Sequence, residues 1–438
     1  MSSGEAIGEQ DCYLSSTTIA TPTSSVQTDR PVLYFVTGQK DGGSDLHRHH
    51  SKAAFYAKQM SKHRDMPDVY VMTKSQFVSS DYKSTKKLPG PSIIYFMTVH
   101  MQENKNDKVT GVTVMNTLRD YEKDGVKIFP PLHVVRCCEI KPQYMSYFPT
   151  AFLPHIVIMK KDFPVLAQQS INSLKIDEQY NGSVMVKGFA SCESKHVTKF
   201  NLEPCQEDTE ALQEHIRKVF LDRSIQGVIV QQHDSSLSSS YKDSIEGKLR
   251  GEICVFFRFV IFANGTIGMT LYNVLIHSPV DPITKTMDAW CLKSVNDDGH
   301  EEIERTTGVS RFFPHDDVEV YATKVKDEFV AKLGYLPWIR IDMFQSDGGD
   351  FKVNEITSIN PGFLFVDDVD GNGSTATPSE LCQSLWHFTA HITGRAGTIE
   401  VKYRFPRTAN RATAENAGTE DIVTTAENNR GGFFPGGA

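Results

Sequence analysis

Two β-forming stretches toward the C-terminal end constrain this chain more than any other feature. Trp338-Ile-Arg340-Ile-Asp342-Met-Phe344 and Phe351-Lys-Val-Asn354-Glu355-Ile-Thr357-Ser358-Ile-Asn360-Pro361-Gly362 flank a Ser-Asp-Gly-Gly-Asp turn, so a hairpin is expected. In each strand an acidic residue interrupts apolar alternation, and the hairpin would set Asp342 beside Glu355. Two unpaired carboxylates in a half-buried sheet repel each other and are hard to desolvate. A divalent cation removes the conflict, and with Thr357 or Asn360 it would have the oxygen ligands magnesium prefers. A surface hairpin with solvated acids is the alternative.

Three further stretches carry polar residues out of apolar strands. Ser183-Val-Met-Val-Lys187 delivers a lysine to a small, hydroxyl-bearing loop, Gly188-Phe-Ala-Ser191-Cys-Glu-Ser194, which can fold over phosphates. Gly227-Val-Ile-Val-Gln231-Gln232-His233 runs a strand into polar positions whose backbone can read the edge of an adenine. Glu252 to Gly265 forms a second hairpin with an Asn264-Gly265 turn, and Arg258 lies inside its apolar strand. A guanidinium there needs an anionic partner, either a ligand phosphate or carboxylate or a structural salt bridge.

The rest of the chain frames these stretches. With 438 residues and 39% hydrophobic composition it exceeds the roughly 250–300 residues at which single cores stop growing, so two or three packed units are expected. Residues 1–30 and 405–438 are polar and lack apolar periodicity, and both read as disordered tails. Strands over 31–37, 69–73 and 92–99 with a helix over 51–62 begin a βαβ layer. After Lys161 the pattern becomes α+β, with helices over 209–221 and 318–333. In the second of these, Val318, Tyr321, Val325, Phe329 and Leu333 recur at helical spacing.

Composition also excludes several function classes. A net charge of −8 and pI near 6.0 argue against a nucleic-acid binder. Apolar runs such as 91–98 and 255–262 are far shorter than the roughly 20 residues a membrane span needs, and the N-terminus lacks the pattern of a secretory signal, so a cytoplasmic protein is expected. The eight cysteines have no CxxC spacing and read as reduced thiols. His47, His49 and His50 follow the Gly38–Ser44 turn without framing carboxylates or cysteines, and read as a solvated helical turn. The Gly38–Ser44 loop itself follows the first strand, where α/β sheets place ligands.

In order, these stretches resemble the ATP-grasp superfamily over roughly residues 31–395. Glu139-Ile-Lys141-Pro-Gln-Tyr-Met-Ser-Tyr147 and Phe152-Leu-Pro154-His-Ile-Val157 are similar to its lysine-bearing helix and the strand after it. The resemblance implies an α/β and α+β chain: a Rossmann-like pre-ATP-grasp domain over 31–135, then an ATP-grasp domain over 136–400 with lobes 136–230 and 231–400. It implies that Lys187 and Lys141 contact nucleotide phosphates and that Gln231 and Gln232 lie at the adenine hinge. Arg258 would bind the transferred phosphoryl group or the acceptor, and Asp342, Glu355 and Asn360 would hold magnesium. The chain departs from the usual Glu-x-Asn spacing, because Thr357 stands two places after Glu355 and Asn360 comes later. The implied activity is an ATP- and Mg2+-dependent ligation of a small-molecule or peptide carboxylate to an amine. Two alternatives share the fold: a small-molecule kinase, with Lys195, Lys199, Arg250 and Arg311 to hold an anionic substrate, and an ATP-binding assembly factor without catalysis.

Overall fold

The computed structural model describes residues 32–37, 68–73, 77–79, 92–96, 111–163, 182–189, 197–202, 206–222, 225–245, 248–262, 264–277, 289–295, 301–302, 315–357 and 376–392. The expected tails, the 51–62 helix, the Gly38–Ser44 loop, the histidines at 47–50, and Lys195, Arg311 and Asn360 all lie outside them.

Val-, Ile- and Tyr-rich runs form a parallel sheet, β1 (Val32–Thr37), β2 (Asp68–Thr73), β3 (Ser92–Phe96) and β4 (Lys127–Phe129), in the order β2-β1-β3-β4. The helix α1 (Gly111–Lys123) packs Val114 and Leu118 against Tyr34 and Val36 of β1. The three strands expected over 31–37, 69–73 and 92–99 share this sheet, while β4 and α1 were not expected from the sequence. Two short helices, α2 (Leu132–Glu139) and α3 (Lys141–Tyr147), lead out of it.

A four-stranded antiparallel sheet follows in the order β5-β8-β6-β7, from β5 (His155–Met159), β6 (Ser183–Gly188), β7 (Thr198–Asn201) and β8 (Gly227–Gln232). All six residues of β8 are buried, which is why Val228, Ile229 and Val230 follow one another without polar alternation before the two buried glutamines. Alternate side chains of β8 serve two different cores. Val228 and Val230 pack with Leu212 and Ile216 of the helix α4 (Gln206–Val219). Ile229 points the other way, into a core shared with α3 and the next sheet. Gly227 is required by close approach: a Cβ placed there would lie 2.3 Å from the Phe189 ring.

The third sheet is six-stranded, in the order β12-β11-β10-β9-β13-β14. Its strands are β9 (Glu252–Ile261), β10 (Ile267–His277), β11 (Ala289–Val295), β12 (Glu301–Glu302), β13 (Trp338–Gln345) and β14 (Phe351–Thr357). Ile253, Val255 and Phe257 of β9 and Ile339, Ile341 and Met343 of β13 line one face, covered by α5 (His315–Leu333). The five residues expected to form that helix's apolar face do so: Val318, Val325, Phe329 and Leu333 are buried and Tyr321 packs at the margin. Each fully buried side chain of this size is worth about 1.5–3 kcal/mol. Asp316 and Asp317 in the first turn complement the helix dipole, and Gly334, at φ +86°, turns the chain out of the last turn. The final helix, α6 (Ala376–Ile392), packs Phe388 edge-on against Phe259 of β9.

Candidate functional site

The two hairpins put their polar residues on the face of the large sheet opposite α5. In the ladder Asp342 is paired with Glu355 on one side and with Cys254 on the other, so the expected juxtaposition of the two acids is present. The register slips at this point. Asp342 faces Glu355 but Met343 faces Val353, which leaves Asn354 as the extra residue of a β-bulge. A bulge re-aims a side chain. Here two consecutive residues between the core positions Val353 and Ile356 face the same side: Asn354 reaches Glu252 and Lys187 on the polar face, and Glu355 stands beside Asp342.

Lys187 comes from the small sheet. It ends β6 beside β8, where its Nζ donates to Gln231 Oε1 at 3.0 Å and, across the gap between sheets, to Asn354 Oδ1 at 2.8 Å. Asn354 Nδ2 in turn donates to Glu252 Oε1. Lys141, the first residue of α3, lies 3.6 Å from Glu355 Oε1, and its backbone N–H donates to the Phe189 carbonyl, which ties the helix start to the end of β6. Five strands of two sheets, β6, β8, β9, β13 and β14, and the start of α3 therefore converge on one polar wall.

The electrostatics of that wall are uneven. Burial lowers Lys187 to about 8, with the Lys141 charge acting in the same direction and Glu355 and Glu252 opposing it. Burial raises Asp342 to about 6; Arg340 pulls it down, while Glu252 and Glu355 push it further up. The Cys254 thiol is pushed well above its usual range by burial and then by Asp342. These carboxylates are not unpaired, as the sequence suggested. Arg340, two residues along the same face of β13, donates to Asp342 Oδ2 at 2.8 Å, and Lys141 serves Glu355. The period of a strand places residue i+2 on the same face, which is how Arg340 reaches Asp342.

The other oxygen, Asp342 Oδ1, is buried without a hydrogen-bond partner among the described residues. An ionised oxygen in that position, beside a second carboxylate, is the kind of acceptor a divalent cation satisfies, so the pair fits magnesium with phosphate or water oxygens completing the shell. Among the described residues no three His, Cys, Asp or Glu side chains gather as a metal-binding group, and Thr357 is the neighbouring oxygen on β14.

The remaining expected residues lie around this centre. Gln231 and Gln232 are buried at the end of β8, where the backbone leaves the sheet. Arg258 is not part of the cluster. It is paired with Trp338, four residues along β9 from the Asp342 row, or about 13 Å at the usual rise of a strand. There its guanidinium lies 5.5 Å from the centre of the Tyr272 ring, and Tyr272 is itself the extra residue of a bulge in β10. His387 of α6 accepts the Ile261 N–H on Nδ1 at 3.2 Å, and burial together with the Arg258 charge lowers it to about 4. Arg250, offered as a substrate-holding cation, is engaged by Asp347 at 2.7 Å, and Lys199 is exposed.

The residues that sequence reading missed are Asn354, Glu252 and Arg340. Each stands inside a stretch quoted for its neighbours, but an asparagine beside a glutamate carries no signal of a bulge. Arg340 was legible in principle, as a second charge at spacing two from Asp342.

No family model and no curated protein matches the sequence. Solved structures do match in fold. They include D-cycloserine synthetase DcsG, at 14% identity and TM-score 0.50, covering 82% of this chain and 99% of that one. D-alanyl-alanine synthetase A from Vibrio cholerae follows at 12% identity and TM-score 0.50, covering 85% of this chain and 100% of its own. The VanG D-Ala:D-Ser ligase from Enterococcus faecalis shows 9% identity and TM-score 0.50, covering 84% and 99%. Together with the order of the strands and helices, these likenesses establish that the chain has the ATP-grasp fold.

Proposed function

We propose that the protein is an ATP- and magnesium-dependent ligase that activates a carboxylate as an acyl phosphate, which an amine captures to give an amide, ADP and phosphate. One observation carries this reading: Lys187 and Lys141, from the small sheet and α3, meet Asp342 and Glu355 of the large sheet on one wall, with Asp342 Oδ1 buried and unsatisfied. Two cations and two acids gathered on one wall suit a polyphosphate carrying a divalent cation better than any neutral ligand. The fold's likeness to proteins named as D-alanyl-alanine synthetase and D-Ala:D-Ser ligase supports the reaction class.

In this reading Lys187 and Lys141 neutralise phosphate oxygens, and the backbone at Gln231 and Gln232 borders the adenine. Arg258 takes the anionic group of the acceptor or the transferred phosphoryl group. Asp342 and Glu355, with an oxygen from Thr357 or Asn360, would hold magnesium, which supplies charge neutralisation and polarisation of the phosphates when bound. Phosphoryl transfer asks the protein mainly for positioning and electrostatic stabilisation, so no side-chain nucleophile is needed. Residues 31–135 would border the acceptor, and 136–400 would form the two nucleotide-binding lobes. The substrates are small-molecule or peptide carboxylates and amines, and the setting is the cytoplasm. No helix among the described residues is long and apolar enough to cross a membrane.

The test is to incubate the purified protein with ATP, magnesium and pooled metabolites and follow ADP and new masses. ADP formed only when a carboxylate and an amine are both present supports a ligase. A phosphorylated hydroxyl compound makes it a kinase, and ATP binding without turnover on any pool makes it an assembly factor.

A further inference from the structure

The Lys187 ammonium is held from both sheets at once. An ammonium group has three N–H donors. One is spent on Gln231 in its own sheet and one on Asn354 in the opposite sheet. Both acceptors are neutral amide oxygens, so neither cancels the lysine's charge as a carboxylate in their place would. The Asn354 amide cannot turn over freely either, because its Nδ2 donates to Glu252. That contact leaves Oδ1 as the atom facing Lys187. The bulge lets Asn354 and Glu355 lie side by side on the polar face, where a regular strand would turn one of two consecutive residues to the α5 side.

From this juxtaposition we propose that Asn354, oriented by Glu252, is a positioning residue: with Gln231 it brackets the Lys187 ammonium from both sheets and leaves its third N–H for a single anionic oxygen. The proposal rests on the nucleotide reading above and assigns that oxygen to a phosphate of the nucleotide. Glu252 acts at one remove, through the orientation of the amide. The contact also joins the two sheets through the group that would meet the nucleotide, so the bracket defines the separation of the sheets at which Lys187 is aimed.

The experiment is a double-mutant cycle on the full chain, read by calorimetric affinity for the β,γ-imido analogue of ATP with magnesium. Lys187→Met should weaken binding about tenfold or more, as loss of a charge-assisted contact does. Asn354→Ala should weaken it about threefold to tenfold, the range of one hydrogen bond. If Asn354 acts through the lysine, Asn354→Ala should cost nothing further in the Lys187→Met background, and Glu252→Gln, which keeps an acceptor for Nδ2, should stay close to wild type. Losses that multiply independently in the double mutant overturn the positioning role while leaving nucleotide binding in place. A wild-type protein that does not bind the analogue overturns the functional reading itself. The affinity is compared only among variants whose thermal transitions remain cooperative, and Asn354→Ser supplies a second variant of the bracket should Asn354→Ala fail to fold.

Discussion

Asp342 has two oxygens with different fates, and its mutants should separate them. Arg340 occupies one, so Asp342→Asn leaves a largely buried guanidinium short of its counter-charge and should lower apo stability by about 1–3 kcal/mol. Glu355 is only partly buried, and Glu355→Gln should leave apo stability nearly unchanged. Both should shrink the rise in melting temperature that magnesium and an unreactive ATP analogue give the wild type, because a ligand bound only to the native state stabilises it by mass action. Full retention of that rise in both amide variants would remove the metal assignment. Arg258 gives a contrasting expectation. Met keeps most of its packing over Tyr272, so Arg258→Met should change the apo melting temperature by only a few degrees while turnover collapses. A large stability loss with intact turnover would make Arg258 structural. Asp342, Glu355 and Arg258 were legible because a charge inside an apolar run stands out, and the Asn-Gly and Gly-Gly turns fix which rows meet. Asn354 was not legible, since the slip in register that lets it share a face with Glu355 is a tertiary property of the β13–β14 ladder.

At the scale of elements, β8 and its neighbours show why the local sequence reads as it does. Gly227 starts β8 under the Phe189 ring, and any side chain there must displace an aromatic that is itself buried. Gly227→Ala should therefore destabilise the protein by about 1–3 kcal/mol in denaturant titrations, the usual cost of overpacking. The companion change Phe189→Leu, which makes room, should recover part of that loss; an unchanged or larger deficit in the double variant would show that the backbone, not the ring, sets the limit. The segment after β8 is anchored by Asp234 and Asp347. Asp234 caps Ser236 N–H and accepts from Asp347 N–H, while the Asp347 carboxylate accepts from Ser235 and Arg250. The Ser- and Asp-rich composition of this stretch carries no sign of these contacts. Its partners lie more than ninety residues away in the β13–β14 turn, a distance no local pattern can bridge. The helices α4 and α5 were legible, because an apolar stripe such as that of α5 depends on spacing alone, whereas α1, α2 and α6 were not read.

For the whole molecule, two buried histidines predict acid sensitivity. His233 lies between Ser183 and Ser238, and burial followed by the Lys199 and Lys187 charges lowers it to about 4. His387 is lowered to about 4 by burial and Arg258. In the unfolded chain both would take a proton near pH 6.5, while the folded protein refuses it until about 4, so their contribution is complete above 6.5 and is lost as pH falls toward 4. Asp342 acts in the opposite sense: its raised value favours folding below its unfolded value of 3.8 and loses that contribution as pH rises through about 6. Two groups outweigh one, so the melting temperature should fall between pH 6.5 and 4, and by less in His387→Gln; an unchanged melting temperature across that window would refute the assignment. A last consequence comes from the alternation of β8 between two cores. A strand that is an inner wall for both neighbours cannot be released by opening either one alone. Its amide protons should exchange with deuterium at the slowest rate in the protein, through complete unfolding only, whereas those of β7 at the sheet edge exchange through local fraying. By the same reasoning a cut of the chain after β8 would leave each fragment with an uncovered apolar face, and neither should stay in solution without the other.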